Sequence, residues 1–333
     1  MSGSAIKKLV SFIVITVFSV VLFGCDSLPK HKIDTQTDNG ISILCSAYPQ
    51  YDWVRNITEG ADGVEVSLLL ENGEEMHSFQ PSADDIIRIK QSDIFIYNGG
   101  SSDRAIDDIL SQNRTDGQIV INMMHAISDK LLCTDETEGH HHEPTAEAEH
   151  SDCYEADEHI WLSIKNAISV CEKIGEEIIK ADPENSEIYN KNLKEYTDAL
   201  YKLDREYTDV VSGAKRNEMV IADRFPFIYL AEDYGIVCHS AFPGCSGETD
   251  ASFSTILYLA DKLKSLGTEK MIVIEKSSMS VEGAVREAMQ SESAQTYVMN
   301  SVQSVTDEDI KAGFSYITAM RENLAVIEEV LND

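Results

Sequence analysis

The apolar residues Tyr189, Leu193, Tyr196, Leu200, Leu203, Tyr207 and Val210 recur in alternating steps of four and three. That spacing puts one narrow stripe on a single helix, running from about Glu184 to Val211. About 28 residues at 1.5 Å each make a rod of about 42 Å, longer than a small domain is wide. A coiled coil is the other reading of such a stripe. The pattern lasts only about three heptads and sets tyrosines in the seam, which favours a packed helix connecting two bodies. The rest of the chain has to be arranged around that rod.

On its N-terminal side, short apolar runs alternate with helical patterns. Ile41–Cys45, Val64–Leu70, Ile94–Tyr97 and Gln118–Asn122 read as strands. Helices are expected near Tyr51–Thr58, after the cap Ser82 with Asp85 as its capping-box partner, over Ile106–Leu110, and over Trp161–Lys180 up to the break at Asp182-Pro183. The rhythm repeats after the rod. Met219–Ala222, Gly235–Cys238, Met271–Ile274 and Thr296–Met299 are strands; Ser252–Leu266, Val281–Gln290 and Gly313–Leu331 are helices. Strands alternating with helices argue for an α/β fold of two lobes, each a parallel sheet flanked by helices, joined by one long rigid helix. The expected divisions are an N-terminal lobe over 40–182, a linking helix over 183–212 and a C-terminal lobe over 213–333. Functional residues in such sheets sit at the carboxyl ends of the strands, and the cleft between lobes is the natural ligand site.

The start of the chain is a targeting segment. Lys7 and Lys8 precede an uncharged apolar run, Leu9 to Phe23, shorter than the roughly 20 residues of a membrane-spanning helix. Leu22-Phe23-Gly24-Cys25 closes it and resembles a bacterial lipobox, which implies a signal peptide over 1–24, lipidation of Cys25, a polar tether over 25–39 and a place outside the cytoplasmic membrane. An uncleaved anchor is the alternative. The net charge of −31 excludes a nucleic-acid partner, because phosphate binding needs a basic face, and favours cationic ligands.

Five of the nine histidines fall between Gly139 and Ser163. His140, His141, His142 and His150 are interspersed with carboxylates over 139–158, with no Lys or Arg between Lys130 and Lys165. Imidazoles among carboxylates, without apolar periodicity, make a loop suited to weak metal collection; a plain solubilising loop is the bland alternative. His159 differs, standing at the edge of the apolar Ile160-Trp161-Leu162. His77, in Glu74-Glu75-Met76-His77-Ser78-Phe79, has a similar polar-then-aromatic context. Among the cysteines none shows CxxC spacing, so no thiolate zinc knuckle is signalled, and Cys171 lies in a helical apolar pattern as a core thiol.

The segment from His77 to Asp85, followed by Ser92–Gly99, resembles the first metal-ligand region of the zinc/manganese solute-binding lipoproteins of ABC importers. Glu158-His159-Ile160-Trp161-Leu162-Ser163 resembles their second, and the acidic histidine loop between the two resembles that of their zinc-specific members. Phe227–Gly235 is similar to their third ligand region, and Tyr316–Leu331 to their C-terminal helix. The order and spacing of these motifs span nearly all of residues 40–333.

The resemblance implies a monomeric, lipid-anchored receptor that captures Zn2+, or Mn2+, in the cleft and hands it to an ABC permease. By it, His77 and His159 are metal ligands. The second half of the site departs from the family pattern. Arg224 occupies the third ligand position, and a guanidinium cannot bind a cation, so adjacent Asp223 is the substitute. Asn300 stands where the family has an aspartate; Glu275 and Glu248 are alternatives. Two imidazoles with one carboxylate suit zinc better than manganese. Cys45 and Cys245 both lie at strand ends that could face the cleft, as a disulfide or as thiols. A zinc hydrolase finds no HExxH or GxSxG in the chain. A surface adhesin, attributed to some relatives, has no sequence feature of its own.

Overall fold

The computed structural model describes residues 40–113, 115–133, 141–142, 156–244 and 251–332. The targeting segment, the tether, Cys25, His140, His150, Cys245 and Glu248 lie outside the described residues.

The first half lays down β1 (Ile41–Cys45), α1 (Tyr48–Thr58), β2 (Val64–Leu68), α2 (Ala83–Gln91), β3 (Ile94–Tyr97), α3 (Arg104–Asn113), β4 (Ile119–Asn122) and the single turn α4 (Met123–Ala126). Its strands pair in the order β2-β1-β3-β4, all parallel, with Ile43 opposite Ile94 and Ile94 opposite Ile119. Parallel strands covered on both faces read as unbroken apolar runs rather than alternating ones, and all four residues of β3 are buried. The α2 start is the expected capping box: Ser82 Oγ accepts the Asp85 N–H at 3.2 Å and Asp85 Oδ2 accepts the Ser82 N–H at 2.9 Å.

After β5 (His141–His142) come α5 (Ile164–Ala181), α6 (Ser186–Gly213), β6 (Glu218–Phe225), α7 (Ile228–Tyr234), β7 (Val237–Pro243), α8 (Phe253–Leu266), β8 (Lys270–Ile274), α9 (Ser280–Met289), β9 (Gln295–Met299), α10 (Asp307–Lys311) and α11 (Tyr316–Leu331). The second sheet has the order β5-β7-β6-β8-β9. Strands β6 to β9 are parallel; β5 adds an antiparallel edge, with His141 opposite His239 and His142 opposite Cys238.

The periodic stripe is the long helix α6, 28 residues in one piece. Tyr189, Tyr196, Leu200, Leu203 and Tyr207 are buried, and Leu193 and Val210 pack at the margin of the same core. That core is continuous from β1 and β3 through α5 and α6 to β6, β8 and α11, so the two sheets are halves of one compact unit, Gly40–Asp333. The stripe tyrosines also place their hydroxyls: Tyr207 donates to the Met320 carbonyl at 2.6 Å and Tyr196 to Asp52 Oδ2 at 3.1 Å. Tyr316, at the head of α11, packs edge-on against Trp53 at 5.2 Å and donates to the Trp161 carbonyl at 2.5 Å.

Three elements differ from the sequence reading. The helix expected from Trp161 begins at Ile164, because Ser163 caps it by accepting the Asn166 N–H at 2.9 Å; Ile160–Leu162 form a separate 3-10 turn. Gly235 does not begin a strand. It closes α7 in the left-handed region at φ 68°, where glycine carries no steric penalty. Strand β6 runs past its apolar stretch through Asp223-Arg224-Phe225, with a register shift between Ile221 and Arg224.

Cys45 corrects another expectation. It ends a central strand, opposite Leu68 on one side and Ile96 on the other, and is a free, fully buried thiol whose pKa is pushed up by burial. The link to Cys245 is not formed. Cys171 and Cys238 are likewise free and buried, while Cys133 is disulfide-bonded.

Candidate metal centre

His77 stands on a 3-10 turn, Met76–Ser78, beyond the carboxyl end of β2. Buried Met76 and Phe79 on either side pin the turn to the core. The loop after β3, Asn98-Gly99-Gly100-Ser101-Ser102, faces it, and Ser102 Oγ lies 2.8 Å from His77 Nδ1. The same loop cradles Glu158: its Oε1 accepts the Ser101 hydroxyl at 2.5 Å and the Ser102 N–H at 2.7 Å. Gly100, at φ 91°, is required here, because a Cβ would sit 2.8 Å from Glu158 Cγ. Asn98 completes the cradle by donating to the Glu158 carbonyl at 2.9 Å.

His159 follows at once and is only 2% exposed. Asp157 Oδ1 receives both its backbone N–H and its ring Nδ1–H, each at 2.8 Å. A carboxylate only accepts, so the proton belongs on Nδ1 and the lone pair on Nε2. A carboxylate behind an imidazole is the usual outer partner of a metal-bound histidine. Trp161 packs against the His159 ring at 5.3 Å, and the His77 and His159 rings stand 5.4 Å apart.

The residues expected from the second half gather at the carboxyl ends of β6, β8 and β9. Asp223 Oδ1 accepts the Arg224 N–H at 2.8 Å and Oδ2 the Ile274 N–H at 3.4 Å, with Arg224 Nε 4.0 Å away. Glu275 binds Ser301 through both oxygens, to its N–H at 2.8 Å and to its hydroxyl. Asn300 Oδ1 accepts the Val302 N–H at 2.7 Å, and Asn323 holds the Asn300 backbone from both sides. Trp161 ties this region to His159 by donating from Nε1 to the Ser301 carbonyl at 2.9 Å. His77 and His159 are thus brought together, whereas Asp223, Glu275 and Asn300 spend oxygens on backbone turns. Among the described residues no three His, Cys, Asp or Glu side chains converge closely enough to hold a metal as they stand.

The chemistry of the pocket nevertheless fits a cation. His77 Nε2, Glu75 Oε1 and Glu158 Oε2 are buried polar atoms without a hydrogen bond. Buried polar atoms are ordinarily satisfied, and two orphaned carboxylate oxygens beside an imidazole nitrogen call for a positive partner.

Residues 43–330 match the family model ZnuA, zinc-uptake complex component A, periplasmic. The chain belongs to the ZnuA family. The zinc-binding lipoprotein AdcA of Streptococcus pneumoniae (strain ATCC BAA-255 / R6) is 28% identical over 324 residues, covering 97% of this chain and 61% of AdcA. The chain therefore spans about three-fifths of the length of that relative. The high-affinity zinc uptake system protein ZnuA of Bacillus subtilis (strain 168) is 28% identical over 324 residues, 96% of each chain. Among solved structures, the metal-dependent lipoprotein YcdH from Bacillus subtilis superposes with a TM-score of 0.71 at 24% identity, over 87% of this chain and 99% of that one, which shows the fold. Zn(II)-bound AdcA from Streptococcus pneumoniae superposes with a TM-score of 0.69 at 25% identity, over 88% of this chain and 58% of that one.

Within this ZnuA-family frame, sequence reasoning missed Asp157, Ser102 and Glu75. A carboxylate two residues before a histidine, as in Asp157-Glu158-His159 and Glu75-Met76-His77, was the available signal. Tyr229 was also missed as a fastener. Its hydroxyl accepts the Leu132 N–H at 3.1 Å and donates to the Asp157 carbonyl at 2.8 Å, holding both ends of the histidine-rich loop beside His159. An antiparallel bridge between Cys133 and Ala156 fastens the same two ends.

Proposed function

We propose that this chain is an extracytoplasmic, lipid-anchored receptor that captures Zn2+ between its two halves and delivers it to an ABC permease for import. The observation that carries the reading is the pair of imidazoles, each anchored through Nδ1 and set 5.4 Å apart ring to ring. Anchoring by Nδ1 fixes both ring orientations, and at His159 the Asp157 carboxylate also fixes the tautomer that presents Nε2, so little ring freedom is lost on binding. Orphaned carboxylate oxygens beside the rings supply negative charge. Zinc, a borderline ion content with nitrogen and oxygen donors, suits that set better than manganese, which favours more oxygens.

In this reading the segments 40–182 and 213–333 act as lobes on the linking helix 183–212, and Cys25 carries the lipid that keeps the receptor at the membrane. Asp223, Glu275 and Asn300 are the second half's candidate donors, and each already accepts a backbone N–H with which the ion would compete. That competition ties capture to a small rearrangement of the β6, β8 and β9 ends, which the permease could read and reverse. His140, His141, His142 and His150 form an auxiliary tract of low affinity leading to the fixed site. The role is binding and transfer, with no catalytic step.

The test is metal-dependent thermal stability. A ligand that binds only the native state raises the midpoint. Stoichiometric zinc is expected to raise it in the full chain, and His77→Ala and His159→Ala should each remove the shift. If zinc gives no shift, or both variants retain it, the receptor reading fails.

A further inference from the structure

Glu75 precedes the 3-10 turn that carries His77, with buried Met76 between them. Its Oε1 lies 3.9 Å from His77 Nε2, and both atoms are buried without a hydrogen bond. Two donors bound to one zinc at 2.0–2.2 Å in tetrahedral geometry stand about 3.3 Å apart. The observed separation exceeds that by only about 0.6 Å. The Glu75 side chain is 40% exposed, so it has room to turn the rest of the way.

Glu158 offers a second orphaned oxygen, but on the other side of the ring. Its Oε2 is 3.9 Å from His77 Nδ1, the nitrogen taken up with Ser102. Glu158 braces the Ser101-Ser102 loop, its Oε1 taken by the Ser101 hydroxyl and the Ser102 N–H. Across the cleft Arg224 cannot ligate, and the oxygens of Asp223, Asn300 and Glu275 are held by backbone and Ser301 donors.

We propose that Glu75 is the third metal ligand, so that Glu75, His77 and His159, all from the N-terminal half, bind the ion before the other half contributes. This deepens the receptor reading and rests on His77 and His159 being ligands. It replaces a carboxylate from the second half with one two residues from His77. It also leaves the second half free to close on a site already charged with metal.

The experiment uses the full chain in detergent with Zn2+ and Co2+ as probes. Zinc affinity is read by competition with a chromophoric chelator, and coordination by the visible absorption of the cobalt form. Glu75→Gln keeps size and removes charge; Glu75→Ala removes the donor. Both should lose more affinity than the roughly 10–100-fold that outer-shell partners are worth, and should alter the cobalt spectrum, while the metal-free midpoint stays at the wild-type value. The proposal is overturned if both Glu75 variants bind within about twofold of wild type with an unchanged spectrum. His77→Ala and His159→Ala separate the two levels. If these abolish binding while the Glu75 variants do not, only the assignment of Glu75 falls. If these too leave binding intact, the receptor reading falls with it.

Discussion

His159 and Asp157 are locked to each other through a single oxygen, Asp157 Oδ1, which receives both the backbone N–H and the ring Nδ1–H of His159 at 2.8 Å. Both side chains are almost wholly buried. The ring cannot turn without leaving its buried Nδ1–H unsatisfied, so its orientation is fixed by the fold before any ion arrives.

Asp157→Ala should therefore weaken zinc binding without touching a metal-facing atom. Loss of an outer carboxylate is worth about 10–100-fold in affinity. The unsatisfied ring N–H should cost stability of about 1–3 kcal/mol. Chelator competition and urea unfolding of the metal-free protein measure the two effects separately. Wild-type affinity in the variant would show that the ring is oriented by Trp161 packing alone.

Gly100 tests the other side of the site. A side chain there faces both a left-handed backbone, φ 91°, and the Glu158 carboxylate at 2.8 Å from the new Cβ to Cγ. Gly117 has nearly the same backbone, φ 87°, with nothing within 4 Å of a Cβ. Gly117→Ala should cost the strain alone, on the order of 1–3 kcal/mol. Gly100→Ala should cost distinctly more and should also weaken zinc binding, because Glu158 must leave the loop that positions Ser102 against His77. Equal losses in the two variants would mean the Glu158 cradle adds nothing to stability.

These tests probe features of unequal visibility in the sequence. The α6 stripe, the Ser82–Asp85 capping box and the strand–helix rhythm are local or periodic signals, and they place nearly every element. Gly235 shows where local reading fails: the residue fits a strand or a helix end, and the length of α7 decides. His77 and His159 were legible because short motifs around them resemble a family. Asp157, Ser102 and Glu75 were not, since each is defined by a distance to a ring nitrogen that only the folded chain sets. In the second half, strand β6 carries a register shift between Ile221 and Arg224, and no pattern of residue types announces a bulge.

Asp103 gives the fold a pH dependence of known sign. It lies beneath the same loop, accepting the Gly99 N–H at 2.8 Å. Burial is the main cause that pushes its carboxyl from an ordinary 3.8 up to about 7; the Gly99 hydrogen bond opposes this, and the charges of Glu158 and Asp107 add to it. A raised pKa contributes stability that is full below 3.8 and is lost as pH rises through about 7, because the unfolded chain releases the proton first. Asn at this position does not titrate. Relative to wild type, Asp103→Asn should therefore gain about 2 kcal/mol between about pH 5.5 and about pH 8. Urea unfolding with chelator present keeps metal linkage out of the comparison. An Asp103→Asn difference that does not change with pH would show that the carboxyl keeps its ordinary value.

Tyr229 decides whether the histidine-rich loop and the fixed site can be separated. Its hydroxyl joins Leu132 to Asp157, the two sides between which the loop departs, and Asp157 in turn holds His159. Deleting Gly139 to His150 removes loop residues while leaving that clamp and the Cys133–Ala156 bridge in the chain. One tight zinc equivalent should survive the deletion, and only the weak equivalents should vanish from a calorimetric titration. Tyr229→Phe should do the reverse. The weak equivalents remain, while the tight one loses affinity as the Asp157 carbonyl and the Leu132 amide lose their partner, a change worth about 1–3 kcal/mol in stability. Hydrogen exchange at Leu132 should rise in parallel. Loss of the tight equivalent on deletion of the loop would place a loop histidine in the primary site and overturn the separation.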